Sequence, residues 1–297
     1  MPERHPLEPY RAEQSPRQQQ ARMSRRGNVE CANRDCASRS LLKRFWKRRT
    51  EGIYLQGRWY CSVDCFQHGI VPLIGELLRP MTERPTNHHR VPLGLLLLGR
   101  GIITEDQLKQ ALQAQREGGG EKVGQWLLHS GAATHHDLAV ALATQWGCPV
   151  FPLERDHSYR ECSTMLPLAL LESLQMLPVH YLSSSKLLYL AFSQNLDRTS
   201  LYAVERLLGD RTVACVVPET EMQVALGELK GVSRPSEFVF ETLRDAMDMA
   251  GTIREYSLKI GAEELRMARP SGFLWARLIA SGRPWDLLFR LPEPANE

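Results

Sequence analysis

The stretch Pro92-Leu-Gly-Leu-Leu-Leu-Leu-Gly-Arg-Gly101 returns thirty residues later as Lys122-Val-Gly-Gln-Trp-Leu-Leu-His-Ser-Gly131. The landmarks of the first copy and their counterparts in the second are Gly94 and Gly124, Gly101 and Gly131, Leu112 and Leu142, and Gln115 and Gln145. A spacing kept through this many positions indicates duplication of one structural unit. We therefore take residues 91–147 as a tandem repeat.

Each copy predicts a helical hairpin. The first helix ends at a glycine, as helices often do. The second begins after a threonine that can cap it, Thr104 in one copy and Thr134 in the other, with acidic residues in or near its first turn. The repeat therefore predicts two short helix pairs in succession.

This pattern resembles the N-terminal domain of the type II secretion and type IV pilus assembly ATPases, the GspE-like or MshEN-type module. Its family pattern is a tandem of Arg-Leu-Gly-xx-Leu-Leu-xx-Gly-Leu-Leu-xxxx-Leu-xxx-Leu-xx-Gln. In some members the two copies form a binding site for cyclic di-GMP, which makes this dinucleotide and the secretion or pilus machinery the implied partners. The ligand-binding residues that the resemblance implies are Leu93, Gly94, Leu108, Leu112, Gln115, Lys122, Val123, Gly124, Leu138, Leu142 and Gln145.

The chain departs from the family pattern at three of its positions. Pro92 replaces the first arginine, and Arg90 lies two residues upstream as a possible substitute. Lys122 replaces the second arginine and keeps the charge without the planar fork that bonds bidentately. Val123 replaces a leucine. The alternative interpretation is a purely structural helical repeat whose leucines form a core.

Four cysteines predict a metal site in residues 29–80. Cys31-x4-Cys36 and Cys61-x3-Cys65 are two close pairs separated by 24 residues, which suits a tetrahedral zinc ion held by thiolates. A hairpin with Gln56-Gly57 at its turn would deliver Cys61, and a helix capped by Ser62 would carry Cys65. This arrangement resembles a treble-clef zinc finger with structural Zn²⁺. Four unrelated small core residues are the alternative.

The charge of the chain is concentrated in its first part. Up to His68 there are 14 lysines and arginines against 7 acidic residues, although the whole chain carries a net charge of only +3. Residues 1–28 have little to bury and predict a disordered arm. The basic run Lys43–Arg49 contains two aromatic residues, a pattern that suits nucleic acid or, equally, a loop covering the metal site.

The remaining segments predict a mixed architecture. Residues 81–90 and 231–236 are interpreted as linkers, residues 148–230 as an α/β companion subdomain, and residues 237–297 as a C-terminal α+β unit with Trp275, Trp285 and Phe289 in its core. Cys148, Cys162 and Cys215 are expected to be buried thiols, and the histidine pairs His88-His89 and His135-His136 surface residues. The predicted fold class is α+β multidomain: zinc finger, tandem helical-hairpin repeat, small α/β subdomain and C-terminal α+β unit.

The sequence favours a binding protein over an enzyme. It contains no G-x-x-x-x-G-K-[ST] motif and no combination of nucleophile, base and orienting group. It has no apolar run of the roughly 20 residues needed to cross a bilayer. The start also lacks the apolar core of a secretory signal, so we expect a cytoplasmic location. The leading hypothesis is a non-enzymatic regulatory or adaptor protein that binds cyclic di-GMP or a secretion or pilus partner. The alternatives are a pure protein-interaction scaffold with a degenerate ligand site and a zinc-finger nucleic-acid-binding regulator.

Overall fold

The computed structural model describes residues 30–36, 52–79, 90–118, 120–153, 158–242 and 245–292. The predicted arm, the basic run Lys43–Arg49, the pair His88-His89 and all of the first linker except its last residue lie outside the described residues. The described part is a mixed α+β structure with two sheets. None of its helices combines the length and the apolar character needed to span a membrane.

The cysteine segment has the predicted order of turn, hairpin and helix. Strands β1 (Ile53–Leu55) and β2 (Arg58–Tyr60) are antiparallel, and helix α1 spans Val63–Leu78. Gln56 and Gly57 both have positive φ, at 50° and 78°, as a two-residue hairpin turn requires. The turn at 31–36 is tied to the hairpin because the backbone N–H of Ala32 donates to the carbonyl of Trp59 at 2.9 Å.

The repeat forms two helical hairpins, as predicted. The first comprises α2 (Leu93–Gly99) and α3 (Glu105–Glu117), and the second α4 (Val123–His129) and α5 (His135–Trp146). Thr104 and Thr134 both form capping boxes, with Gln107 and Asp137 respectively. Two donors of each helix start are thereby satisfied by side chains.

The two hairpins pack crosswise. Helix α2 packs against α5, and α3 packs against α4, so each copy supports the other. The two glutamines of the repeat also bond across the copies. Gln145 Nε2 donates to the carbonyl of Val91 at 2.7 Å, and Gln115 Nε2 donates to the carbonyl of Glu121 at 3.0 Å. Val91 and Glu121 occupy equivalent positions of the repeat. The duplicated sequence therefore builds a structure with internal pseudo-symmetry.

The companion subdomain follows the predicted alternation of elements. It contains α6 (Tyr159–Cys162), a short 3-10 turn (Ser163–Met165), α7 (Leu168–Leu174), β3 (Met176–Leu182), β4 (Leu187–Phe192), α8 (Arg198–Leu208), β5 (Arg211–Val216) and α9 (Glu219–Leu229). Strand β4 lies between β3, antiparallel to it, and β5, parallel to it. Cys162 and Cys215 are buried as expected, whereas Cys148 is only half-buried.

The C-terminal segment supplies most of the larger sheet. It comprises β6 (Ser236–Phe240), α10 (Ala246–Ile260), β7 (Glu264–Ala268), β8 (Phe273–Ala280) and β9 (Arg283–Arg290). Trp275 and Phe289 are fully buried, in agreement with the prediction, whereas Trp285 is partly exposed.

The cysteine segment and the C-terminal segment share one six-stranded sheet, which the sequence analysis did not anticipate. Its strand order is β2-β1-β7-β8-β9-β6, and β1 runs parallel to β7. Helix α1 packs against α10, and the four cysteines belong to the same hydrophobic cluster as Leu265 and Phe289. We call residues 30–36, 52–79 and 236–292 the outer unit. The tandem module and its companion lie between its two parts in the sequence.

Side chains of the outer unit also bind the companion subdomain. Glu237 accepts hydrogen bonds from the backbone N–H groups of Leu168 and Ala169, at 2.6 and 3.3 Å, which satisfies donors at the start of α7. Arg277 Nη2 donates to the carbonyl of Met165 at 2.8 Å. These contacts fix the outer unit against the segment inserted into it.

Candidate functional site

The four predicted metal ligands lie together in the outer unit. The Sγ atoms of Cys31, Cys36, Cys61 and Cys65 are all within 4.8 Å of one another, and all four residues are buried. The Sγ separations that join Cys61 to Cys36 and to Cys65 are 3.4 and 4.0 Å. A tetrahedral ion with bonds of about 2.3 Å to sulfur would require separations of roughly 3.8 Å. The donor set and its spacing fit a zinc finger.

Local structure brings these four thiols together. Ser62 caps α1 by accepting from the N–H of Cys65 at 3.3 Å, which places Cys65 in the first helical turn. The N–H of Cys61 points at Cys31 Sγ, 3.5 Å away. Burial raises the pKa of the Cys31 thiol to about 12. A bound cation would lower this pKa and hold the group as a thiolate.

A second candidate site is a cleft of about 640 Å³ between the tandem module and the companion subdomain. Eight of the eleven predicted ligand-binding residues line it: Leu93, Gln115, Lys122, Val123, Gly124, Leu138, Leu142 and Gln145. Arg90, the suggested substitute for the missing first arginine, lines it too. The structure thus brings residues of both repeats to one cavity, within the usual volume range of about 300–1,000 Å³ for small-molecule sites.

The other three predicted residues lie outside this cleft. Gly94 is buried against Leu108, so that a Cβ on Gly94 would come within 2.5 Å of Leu108 Cδ1. These two residues hold the first hairpin together. Leu112 has 38% of its surface exposed and does not line the cleft. Its counterpart Leu142 does, because the companion subdomain stands against the second repeat.

Gly124 shows why the repeats need glycine at this position. A Cβ there would lie 3.3 Å from Leu93 Cδ2 and 3.4 Å from Leu138 Cδ1, both side chains of the cleft wall. Leu93 comes from the first repeat and Leu138 from the second. The close approach of the two copies at the floor of the cleft therefore leaves little room for a larger residue.

Sequence reasoning missed the wall that the companion subdomain contributes. Ser193, Gln194 and Asn195 follow the end of β4, and Glu219 begins α9. Glu219 is fixed by two amides: Gln125 Nε2 donates to Oε2 at 3.0 Å and Gln194 Nε2 donates to Oε1 at 2.6 Å. Ligands often bind beside the carboxyl ends of strands in α/β structures, so the position of residues 193–195 after a buried strand could have indicated this wall.

Two buried polar atoms in the cleft have no partner among the described residues. They are His135 Nδ1 and Ser193 Oγ. His135, which was expected at the surface, starts α5 and remains partly exposed, but it lines the cleft and its Nδ1 is buried. Buried polar groups usually have a hydrogen-bond partner, so these two atoms mark a place that a polar ligand or water can fill.

These features indicate the class of protein. The chain is similar to the N-terminal domains of type IV pilus and type II secretion ATPases, and this part is joined to a zinc-finger-like segment. No family model matches the chain. It is 29% identical over 117 residues to the type IV pilus assembly ATPase PilB of Thermus thermophilus, a match that covers 39% of this chain and only 13% of that relative. This match confirms the resemblance that the thirty-residue repeat predicted.

Solved structures show similarity over a comparable part of the chain. A structure of MshE with cdg is 29% identical, with a TM-score of 0.39, and covers 47% of this chain and 99% of that one. A structure of the N-terminal domain of XpsE is 20% identical, with a TM-score of 0.34, and covers 46% and 91% respectively. The XpsE structure is that of an N-terminal domain.

Proposed function

We propose that this chain is a non-enzymatic regulatory or adaptor protein that binds cyclic di-GMP in the cleft between its tandem module and companion subdomain. One observation carries the proposal: the cleft gathers residues of both repeats and places two cations and two unpartnered buried polar atoms around an apolar floor. The sequence resemblance to the MshEN-type module supports the same ligand.

The cleft chemistry suits a purine dinucleotide. Leu93, Leu138 and Leu142 offer apolar surface to flat bases, and the side chains of Arg90 and Lys122 can bind phosphate oxygens. Glu219 offers acceptors for the N–H donors on the edge of guanine. A carboxylate has about four acceptor positions, of which the amides of Gln125 and Gln194 use two.

Two neutral groups add polar contacts to the ligand. Ser193 Oγ can donate to or accept from a base or a ribose hydroxyl, and His135 Nδ1 can do either according to its tautomer. Both residues line the same cleft as Glu219. A ligand in the cleft would therefore satisfy atoms that are otherwise buried without partners.

Zn²⁺ is the proposed ion of the cysteine cluster, with Cys31, Cys36, Cys61 and Cys65 as ligands and a structural role. Four thiolates in a closed tetrahedral set are typical of structural zinc, and they leave no position for a reacting water. The ion would hold the turn at 31–36 against α1 and so keep β1 beside β7.

Isothermal titration calorimetry of the folded chain with cyclic di-GMP tests the ligand. We expect saturable heat with one ligand, or one stacked ligand pair, per chain, and a dissociation constant in the micromolar range or below. Absence of heat at high micromolar ligand, with folding verified by circular dichroism, would remove cyclic di-GMP from the proposal.

Lys122→Ala is expected to weaken cyclic di-GMP binding about tenfold or more, because hydrogen bonds to charged groups contribute about 1.5–3 kcal/mol. The matched control is Lys109→Ala, since Lys109 is also an exposed lysine of the tandem module but pairs with Glu105 at 2.9 Å outside the cleft. Titration of both variants gives the comparison. Equal affinities would show that the ligand does not use this cleft.

A protein-docking scaffold is the second candidate function. Val91, Leu95 and Leu112 of the first repeat are exposed by 50%, 51% and 38%, and exposed apolar side chains that lie together can form a docking surface. Proteins of the secretion or pilus machinery would be its partners. A folded chain that binds such a partner but no dinucleotide, and loses the partner with Leu95→Glu, would support this function in place of the first.

A further inference from the structure

A second pocket lies in the outer unit, far along the chain from the repeat. It has a volume of about 370 Å³ and lies between the end of α10 and the edge of the sheet at β6 and β9. Its lining residues are Phe238, Tyr256, Lys259, Ile260, Ala280, Ser281, Arg283 and Trp285. Trp285 was expected in the core, yet the structure leaves it partly exposed in this pocket.

Three aromatic rings form the wall of the pocket. The ring centroids of Phe238 and Tyr256 are 4.9 Å apart, and the rings of Phe238 and Trp285 are nearly parallel, with an interplanar angle of 5° and centroids 6.2 Å apart. All three side chains remain partly exposed. Partly exposed aromatic faces held in fixed positions are surfaces on which a planar heterocycle can stack.

Two cations stand at the same pocket. Lys259 Nζ lies 5.8 Å from the centroid of the Tyr256 ring, and Arg283 follows the tight turn Ser281-Gly282, in which both residues have positive φ. No carboxylate is among the described residues that line the pocket. The Glu263 carboxylate accepts from the backbone N–H of Ser281, one of the lining residues, at 3.3 Å.

This combination selects among possible ligands. Aromatic surroundings can also bind cationic ligands, but here the positive charges of Lys259 and Arg283 would repel them. Inorganic anions would use the cations without the rings. A ligand that uses both has a planar ring and a strongly negative group, and a volume of about 370 Å³ suits one small molecule.

We propose that this aromatic pocket binds a nucleoside monophosphate, with its base against Phe238 and Trp285 and its phosphate bound by Lys259 and Arg283. The site is separate from the cleft of the tandem module and does not depend on the function proposed for that cleft. It gives the outer unit a binding role of its own.

Titration of the full chain with adenosine 5′-monophosphate, followed by calorimetry at low salt, tests the proposal. We expect saturable binding that weakens as salt rises and that falls about tenfold or more in the double variant Lys259→Ala/Arg283→Ala, because both charged contacts are lost. Adenosine and inorganic phosphate should each bind more weakly than the nucleotide, since each offers only half of the contacts.

A control variant separates a specific effect at this pocket from a general loss of positive charge. Arg211→Ala removes an exposed arginine elsewhere and should leave nucleotide binding unchanged. Three results would each overturn the proposal: no binding at millimolar nucleotide, binding unaffected by the double variant, or phosphate binding as tightly as the nucleotide. Loss of cyclic di-GMP binding in Lys122→Ala would bear on the function proposed for the cleft and not on the proposal for the aromatic pocket.

Discussion

Loss of the metal is expected to unfold the cysteine segment and to expose the edge of the C-terminal sheet. Cys61→Ser removes one of four thiolates, and structural zinc contributes an apparent binding free energy of about 10–16 kcal/mol to folding in small zinc fingers. Strand β1 is part of this segment. The backbone N–H of Tyr54 in β1 donates to the carbonyl of Glu263 at 2.8 Å, and that of Gln56, directly after β1, donates to the carbonyl of Leu265 at 3.0 Å. The effect should therefore extend into the C-terminal sequence.

Metal analysis and hydrogen exchange measured by mass spectrometry check this prediction. We expect one zinc ion per unmodified chain, none in Cys61→Ser, and faster exchange at residues 262–268 as well as 52–79. The companion strands Met176–Leu182 and Leu187–Phe192 serve as an internal control and should keep their protection. Cys148→Ser is the matched variant, because Cys148 lies outside the cluster. Metal loss with unchanged exchange at residues 262–268 would contradict the shared sheet.

Asp286→Ala is expected to lower the free energy of unfolding of the outer unit by about 3–5 kcal/mol, because removing one partner leaves the other charge buried. Asp286 and Arg277 are 2% and 6% exposed. Asp286 accepts from Arg277 through both carboxylate oxygens, at 2.7 and 2.8 Å, and from the indole N–H of Trp275 at 2.7 Å. The substitution leaves three N–H donors of two buried side chains, those of Trp275 and Arg277, without this acceptor.

Urea denaturation followed by fluorescence measures this loss, with hydrogen exchange of Phe273–Ala280 as the local readout. Glu241→Ala is the matched control. Glu241 pairs with Arg290 at 2.6 Å, but the two side chains are 55% and 46% exposed, so we expect a change of about 0–1 kcal/mol. If Asp286→Ala costs no more than Glu241→Ala, the buried pair does not stabilise the outer unit in the way described.

Local patterns predicted the parts of the fold that local interactions determine. The cap at Ser62 and the Gln56-Gly57 turn fixed the cysteine segment, because each needs only neighbouring residues. The strands and helices of the companion subdomain follow from alternation of apolar runs and turns in the same way. The capping boxes of the repeat are a further local case.

The wall of the cleft could not be predicted from the same patterns. Ser193 and Glu219 are far from the repeat in sequence, and no motif links them to it. His135 and His136 were both expected at the surface, and only the tertiary structure decides that His135 lines the cleft whereas His136 is exposed. Three implied ligand contacts, Gly94, Leu108 and Leu112, lie outside the cleft for the same reason.

The sequence by itself determined the repeat, the two close cysteine pairs and the similarity to the secretion and pilus ATPases, because these depend on residue types at fixed spacings. Tertiary structure alone decided which segments meet. It joined β1 to β7 across about two hundred residues, and it packed the companion subdomain against α5 of the second repeat. Pairing between distant strands and packing between subdomains depend on complementary surfaces, which no local spacing encodes.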